Sequence, residues 1–250
     1  MNKMEEITYF GYQSILRHEK TAKVEQVFKS VAKKYDLMND LMSFGTHRCW
    51  KNFAVMLCHL RQGQRILDLA GGTGDLTRQI SPLIGDNGEI ILVDINAAML
   101  SIGQNRLLDQ GIFKNVKLIQ ANAEDLPFSD NFFDRIIIGF GLRNITDKMK
   151  ALRSIYRALK PGGFITILEF SKPASTLLKT LYDVYSFKVL PWLGKMVAND
   201  QASYRYLVES IRVYPDQKTL LVYMTKAGFE NCDYHNLSGG IVSVHKGYKF

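Results

Sequence analysis

Arg65-Ile-Leu-Asp-Leu-Ala-Gly-Gly-Thr-Gly-Asp75 decides the fold: a short apolar run ends in an acid and a glycine-rich turn before an amphipathic stretch begins. Ile66, Leu67 and Leu69 suit a buried parallel strand, and Gly71, Gly72 and Gly74 permit positive φ and close approach of a ligand. Leu76, Ile80, Leu83 and Ile84 then start a 3.6-residue period, so the stretch reads as strand, tight loop, helix. The next strand, Glu89 to Val93, ends in Asp94, twenty residues past Gly74. Nucleotide-binding α/β folds place there the acid that holds two ribose hydroxyls.

The glycine spacing decides which cofactor this loop suits. A dinucleotide site requires G-x-G-x-x-G, whereas Gly72-x-Gly74 is followed by Thr77 in the third slot. Asp75 also sets negative charge where a pyrophosphate would lie, which disfavours NAD and FAD. The stretch instead resembles motif I of the S-adenosylmethionine-dependent methyltransferases, D-x-G-x-G-x-G, from Asp68 to Gly74 with Ala70 in the first glycine slot. A cofactor that carries an amino acid and no phosphate tolerates these acids.

At 250 residues and 46% hydrophobic content the chain can bury a full core within one large α/β domain. Cys49, Cys58 and Cys232 are scattered and odd in number, which argues against a disulfide framework. No Cys/His pair has zinc-ligand spacing, so no metal is expected. The net charge of +8 indicates attraction to something anionic, but no run of five basic residues marks a nucleic-acid arm. With no apolar stretch of 18 residues and no signal-peptide core in residues 1–20, a cytoplasmic protein is expected, peripheral on the inner face of the membrane at most.

Residues 1–20 read as a flexible lead-in and 21–62 as a helical cap, with Val24, Val27, Phe28 and Val31 on one helical face. The methionine-rich stretch from Tyr35 to Trp50 suits an irregular apolar ligand as well as plain packing. From 63 to 171, strands and helices alternate, the later strands falling at Val116–Gln120, Asp134–Phe140 and Phe164–Phe170. That alternation predicts a parallel sheet whose carboxyl-end loops converge on one crevice. These loops carry Ala70 to Gly74, Asp94, Asn122-Ala-Glu-Asp125 and Gly139 to Asn144, and Asn122 with Ala123 can read an adenine edge. Lys160-Pro-Gly-Gly163 is expected to end a helix and hand over to the next strand. Residues 172–214 read as a helical substrate insert, and 215–250 as a helix and a closing hairpin across Ser238-Gly239-Gly240.

Four segments resemble the ubiquinone/menaquinone biosynthesis C-methyltransferase family: Val27 to Gly45 with its Tyr35-Asp-Leu-Met-Asn39, Leu67 to Asp75, Gly139-Phe-Gly-Leu-Arg-Asn144 with Leu168-Glu-Phe-Ser-Lys-Pro173, and His245-Lys-Gly-Tyr-Lys-Phe250. The resemblance implies a Rossmann-like class I methyltransferase of α/β class, with a mostly parallel seven-stranded sheet and a C-terminal antiparallel hairpin. It implies S-adenosyl-L-methionine as cofactor, held by Thr73, Asp94, Asn122 and Ala123 together with Ala70, Gly72 and Gly74 of the loop. A further contact that is often a serine in relatives is Gly139 here, so only its backbone can serve. The implied substrate is a reduced polyprenyl quinone, either 2-methoxy-6-polyprenyl-1,4-benzoquinol or demethylmenaquinol, methylated on a ring carbon.

A ring carbon is a poor nucleophile until a neighbouring hydroxyl loses its proton, so the site needs a base or a cation that favours phenolate. Arg143 and Asn144 follow a strand that ends in the crevice and are the expected catalytic pair, with a bound water, His47 or Tyr204 as proton acceptor if cap and insert fold over; the alternative is loop stabilisation, Arg143 paired to a carboxylate and Asn144 to backbone. Leu177, Leu178, Leu181, Tyr182, Tyr185 and Trp192, interleaved with Lys172, Lys179, Lys188 and Lys195, suit a membrane surface or a helix packed on the sheet. Expected partners are the quinol, that membrane surface, and a second copy or a biosynthetic assembly, with no nucleic acid. The competing functions are a small-molecule or RNA O- or N-methyltransferase and a catalytically silent adenosyl-binding scaffold.

Overall fold

The computed structural model describes residues 7–31, 39, 40 and 43–173, a few positions between 175 and 185, and 201–250. Its centre is a seven-stranded sheet made of β3 (Arg65–Leu69), β4 (Glu89–Asp94), β5 (Val116–Gln120), β6 (Phe133–Gly139), β7 (Leu159–Phe170), β8 (Glu230–Leu237) and β9 (Val242–Tyr248). The order is β5-β4-β3-β6-β7-β9-β8, with β5 to β7 parallel and the last two strands antiparallel. Ile66, Leu67, Leu69, Ile90 to Val93 and Ile136 to Ile138 are all buried, as expected for parallel strands covered on both faces. Full burial of each such side chain contributes roughly 1.5–3 kcal/mol. The crossover helices are α3 (Asp75–Ile84), α4 (Ala97–Asp109) and α5 (Lys148–Ala158). The chain order reverses between β3 and β6, which opens a crevice at their carboxyl ends.

The N-terminal expectation is corrected. Residues 7–16 form a hairpin of β1 (Ile7–Phe10) and β2 (Gln13–Leu16), and α1 (Arg17–Val31) starts four residues before Thr21. The hairpin is held by tertiary contacts with α6 (Gln201–Val213): Phe10 stacks on Tyr206 with centroids 4.1 Å apart, and Tyr12 N donates to Glu209 Oε2 at 3.2 Å. Lys160-Pro-Gly-Gly163 is corrected too. α5 ends at Ala158, and the four residues lie inside β7, where the pairing with β6 slips between Phe133 and Arg135. Gly162 takes φ +78° there, and a Cβ on Gly163 would sit 2.8 Å from Lys160 O, so the bulge needs both glycines.

α2 (His47–Leu57) packs on the sheet through Trp50, Ala54 and Val55. α7 (Gln217–Lys226) is capped by Asp216, which accepts from Thr219 N, and leads through Gly228 at φ +110° into β8. The Met38 and Met42 side chains of the methionine-rich stretch lie outside the described residues, as does most of 174–200, including Leu177, Leu178, Lys179, Leu181, Lys188, Trp192 and Lys195.

The loops after β3 and β6 touch without room to spare. A Cβ on Gly141 would stand 2.5 Å from Ala70 Cβ, and Ala70 itself adopts φ +54°, a left-handed conformation that costs a side-chain-bearing residue about 1 kcal/mol. Gly141→Ala should therefore destabilise the protein by about 1–3 kcal/mol, lowering Tm by roughly 2–4 °C for each kcal/mol. Adding Ala70→Gly removes both the clash and the strain, and should return Tm to at least the wild-type value in a thermal melt. An unchanged Tm in Gly141→Ala alone would contradict this close approach.

Candidate active site

Asp68 is fully buried at the end of β3 and accepts from Thr77 N at 3.0 Å and Thr77 Oγ1 at 2.7 Å. A Cβ on Gly71 would meet its carboxyl carbon at 2.8 Å, so the loop is wrapped tightly around a carboxyl group. Burial pushes this carboxyl up to about 6 against the two Thr77 hydrogen bonds. Gly71 N donates to Val93 O at 3.1 Å, and Gly72 and Gly74 take φ +55° and +77°, which folds the loop back toward β4.

Asp94 ends β4 beside that loop. Its Oδ2 accepts from Gly72 N at 3.0 Å and its Oδ1 from Asn96 N at 2.8 Å, while burial pushes the carboxyl up to about 6. Asn96 caps α4 by accepting from Ala98 N and Met99 N, and its Nδ2 donates to Glu25 O at 3.2 Å, which draws α1 over the loop. Both acids ionise more readily unfolded than folded, so each costs stability above about pH 6, and the cost fades as the pH falls toward 4.

These elements bound a cleft that is partly open to solvent. Of the expected residues it brings together Ala70, Gly72, Asp94, Asn122, Ala123 and Asn144. Asn122 Oδ1 accepts from Glu124 N at 2.9 Å, which turns its NH₂ donors to other uses. Asn144 Oδ1 accepts from Tyr206 OH at 3.1 Å, tying the loop after β6 to α6. Thr73, Gly74 and Gly139 do not line the cleft. Thr73 is buried behind the turn with Gly103 of α4 against it, Gly74 is the residue before α3, and a Cβ on Gly139 would meet Leu76 Cδ1 at 2.7 Å. The cleft also uses Thr21, Val24, Glu25 and Phe28 of α1, together with Met99 and Phe140. The Val24/Phe28 face was visible as an apolar stripe, but nothing in its period says that the stripe covers a ligand and not the sheet.

Arg143 stands apart from this cleft. Its backbone N donates to Glu169 Oε2 at 3.1 Å, and its guanidinium donates to Glu169 Oε1 at 2.8 Å and to Phe140 O. Both side chains are buried, so this is an enclosed ion pair that fixes the loop from Phe140 to Asn144. Of the two readings of Arg143, this arrangement is the loop-stabilising one, Arg paired to a carboxylate, and the side chain does not line the cofactor cleft. His47 is buried at the start of α2 with Nε2 3.0 Å from Asp40 Oδ1, and burial holds its ring pKa below the usual value. Tyr204 is buried in the core, and neither residue lines the cleft. Lys51 Nζ lies 2.6 Å from Asp75 Oδ2, joining α2 to the first turn of α3. Despite its burial, Asp75 stays below the usual carboxylate range because of that ammonium.

The donor set fits an adenosyl cofactor: a paired-acceptor carboxylate at the ribose position, a side-chain-poor loop beside it, and a carboxamide with apolar walls on the adenine side. Residues 16–249 match the ubiE/COQ5 methyltransferase family. The chain belongs to that family. It is an S-adenosyl-L-methionine-dependent methyltransferase of ubiquinone and menaquinone biosynthesis. It is 67% identical to the ubiquinone/menaquinone biosynthesis C-methyltransferase UbiE of Coxiella burnetii (strain RSA 331 / Henzerling II), over the whole of both chains. It is 57% identical to the UbiE protein of Legionella pneumophila (strain Lens), again over both whole chains. A SAM-dependent methyltransferase from Aquifex aeolicus superposes with a TM-score of 0.64 at 17% identity, covering 88% of this chain and 98% of that one, which shows a shared fold.

Because the ribose hydroxyls need an ionised acceptor, affinity for S-adenosylhomocysteine should be level above pH 7 and fall as the pH drops below about 6. Asp94→Ala should weaken binding by about 2–3 kcal/mol, roughly 30- to 150-fold. Isothermal titration across pH checks both, and wild-type affinity in the variant would remove Asp94 from the ribose.

Proposed function

We propose that the enzyme methylates a ring carbon of reduced polyprenyl quinones, 2-methoxy-6-polyprenyl-1,4-benzoquinol on the ubiquinone route and demethylmenaquinol on the menaquinone route. The observation that carries this reading is a cofactor cleft lidded by apolar α1 side chains, Val24 and Phe28, inside a chain that belongs to a quinone-methylating family. S-adenosyl-L-methionine supplies an electrophilic methyl group on a sulfonium when bound. The chain's own task is to hold the ring face-on to that methyl, keep water out, and favour the phenolate that makes the carbon nucleophilic.

Asn144 is placed for the first task, as it lines the cleft and is pinned by Tyr206 OH. Arg143 acts through it as a positioning residue, its ion pair with Glu169 holding the loop. Ala70, Gly72, Asp94, Asn122 and Ala123 hold the cofactor, with Thr73, Gly74 and Gly139 shaping the turn and strand end behind it. For a substrate with a long apolar tail we assign a membrane surface as the working location. Ile7, Tyr9 and Tyr12 at the hairpin and Phe44 just before α2 are large exposed apolar side chains on a chain of net charge +8. No helix among the described residues is long and apolar enough to cross a membrane, so attachment would be peripheral.

Incubation with each reduced quinone and S-adenosylmethionine should yield a ring-methylated product from the quinol and none from the oxidised quinone, read by mass spectrometry. Methyl on oxygen, or transfer only to RNA, would support the competing functions. Arg143→Ala leaves the buried Glu169 carboxylate with no counter-charge and only the backbone donors of residue 143 and Phe170, and should cost about 3 kcal/mol of stability, visible in a denaturant titration. Arg143→Ala with Glu169→Gln should recover most of it. A variant that loses turnover but no stability would return Arg143 to a direct chemical role.

A further inference from the structure

Behind the loop from Phe140 to Thr146 lies a second chamber, partly open to solvent, which shares only Thr146 with the cofactor cleft. Lys20 of α1, Arg143, and Lys148 at the start of α5 all line it. Arg143 is paired with Glu169, but among the described residues neither lysine has a carboxylate within ion-pair distance. Asp147 and Glu124, the nearest acids on the loop side, are otherwise engaged: Asp147 pairs with Arg17, and the Glu124 carboxylate accepts from Asp147 N at 2.9 Å. The opposite wall carries Tyr206 and Tyr214 of and after α6. Tyr214 is 3% exposed, and its hydroxyl has no hydrogen-bond partner among the described residues. Buried Lys20 and half-buried Lys148, with too few anions and facing an unsatisfied buried hydroxyl, make a site suited to an oxygen that bears negative charge.

We propose that this chamber receives the hydroxyl-bearing edge of the quinol ring and that Lys148 takes its proton. This rests on the quinol reading above and adds the proton acceptor that reading lacks. Two links favour a phenolate over a phosphate group: the chamber meets the cofactor cleft at Thr146, and Tyr206 on its wall hydrogen-bonds Asn144 in that cleft. Lys148 Nζ donates to Ile145 O at 3.1 Å and lies 6.0 Å from the Tyr214 ring centroid. The charged groups around it are Lys20 from α1, Arg143 from the loop after β6, Glu169 from β7, and Asp147 and Glu124 from the loops. Burial first, then Lys20, pushes its ammonium down to about 7 against the pull of the three carboxylates. An amine near that value is half neutral at working pH, where a base is most effective. Tyr206 and Tyr214 are pushed the other way by burial and stay protonated as donors.

The proton count closes. The quinol hydroxyl gives its proton to the neutral Lys148 amine, and the ring carbon forms its bond to the methyl with the electron pair released by the phenolate. The electrons of the broken S–CH₃ bond remain on sulfur. The ring hydrogen at that carbon then leaves to solvent, its electron pair restores the aromatic ring and the phenolate, and Lys148 returns the first proton to the oxygen. One proton is released for each methyl transferred.

The test compares Lys148→Met, Lys148→Arg and Lys148→Ala with wild type in three readouts. The wild-type kcat/KM should rise with pH through about 7 to a plateau. Lys148→Met should lose that limb and fall by about 100-fold or more, with S-adenosylhomocysteine affinity within about twofold. Lys148→Arg keeps the charge but cannot give up its proton, so it should be as slow as Lys148→Met, whereas added methylamine should speed Lys148→Ala in proportion to its free-base form. Wild-type rate and pH profile in Lys148→Arg would overturn the proposal. Independently of turnover, 4-nitrophenol bound beside S-adenosylhomocysteine should ionise at lower pH on wild type than in buffer, and not on Lys148→Met or Lys20→Met. If no quinol is methylated but nitrophenol still ionises in a Lys148-dependent way, the substrate reading falls and the chamber stands. If quinol is methylated and neither readout responds to Lys148, the chamber proposal falls. Displacement of nitrophenol by inorganic phosphate with no loss of turnover would also overturn it, by making the chamber a phosphate site.

Discussion

Asp68 is a carboxyl group taken entirely out of water, and everything on the cofactor side of the sheet is arranged around it. Its two hydrogen bonds from Thr77 fasten the first turn of α3 to the end of β3, and the turn between them can close only because Gly71 has no side chain to meet the carboxyl. Burying such a group costs several kcal/mol unless it is well bonded. The two Thr77 hydrogen bonds and the nearby Lys51 charge offset that cost in part: Oδ1 has no partner among the described residues, and burial still holds the carboxyl up at about 6. The loop so shaped aims Gly72 N at Asp94.

From that loop the rest of the site follows by contact. Asp94 orients Asn96, Asn96 holds the backbone of α1 at Glu25, and α1 brings Val24 and Phe28 over the cleft. On the other side, Ala70 presses on Gly141, and the Arg143–Glu169 pair locks the segment that carries Asn144. The protein thus devotes one buried acid, one half-buried acid and one buried ion pair to geometry. That is consistent with a reaction in which the cofactor brings the electrophile and the chain supplies position, dryness and a place for one proton.

The strand–turn–helix and the acid after the second strand were legible because all of their chemistry lies within thirty residues of sequence. Local rules govern it: glycine for positive φ, an acid at a strand end, and a 3.6-residue period. The parallel order followed from alternation, and the closing hairpin from the Ser238-Gly239-Gly240 turn. The hairpin at residues 7–16 was hidden because strands of four residues carry little pattern, and its stability comes from Tyr206 and Glu209, nearly two hundred residues away. The burial of Arg143 was hidden for the same reason, as its partner Glu169 is on another strand. Lys148 reads as an ordinary first-turn surface lysine, since neither Lys20 nor the Tyr214 ring is near it in sequence. Pairwise chemistry across distant elements is what a single sequence conceals.

The most direct measurement is a crystal structure with S-adenosylhomocysteine and a short-tailed quinol. Both ribose hydroxyls should lie on the Asp94 carboxylate, adenine between the Asn122–Ala123 turn and Met99, and the quinol hydroxyl within hydrogen-bond reach of Lys148 Nζ. A nucleoside bound away from Asp94, or a quinol ring whose oxygens face solvent while the Lys20–Lys148 chamber stays closed off, would contradict these placements.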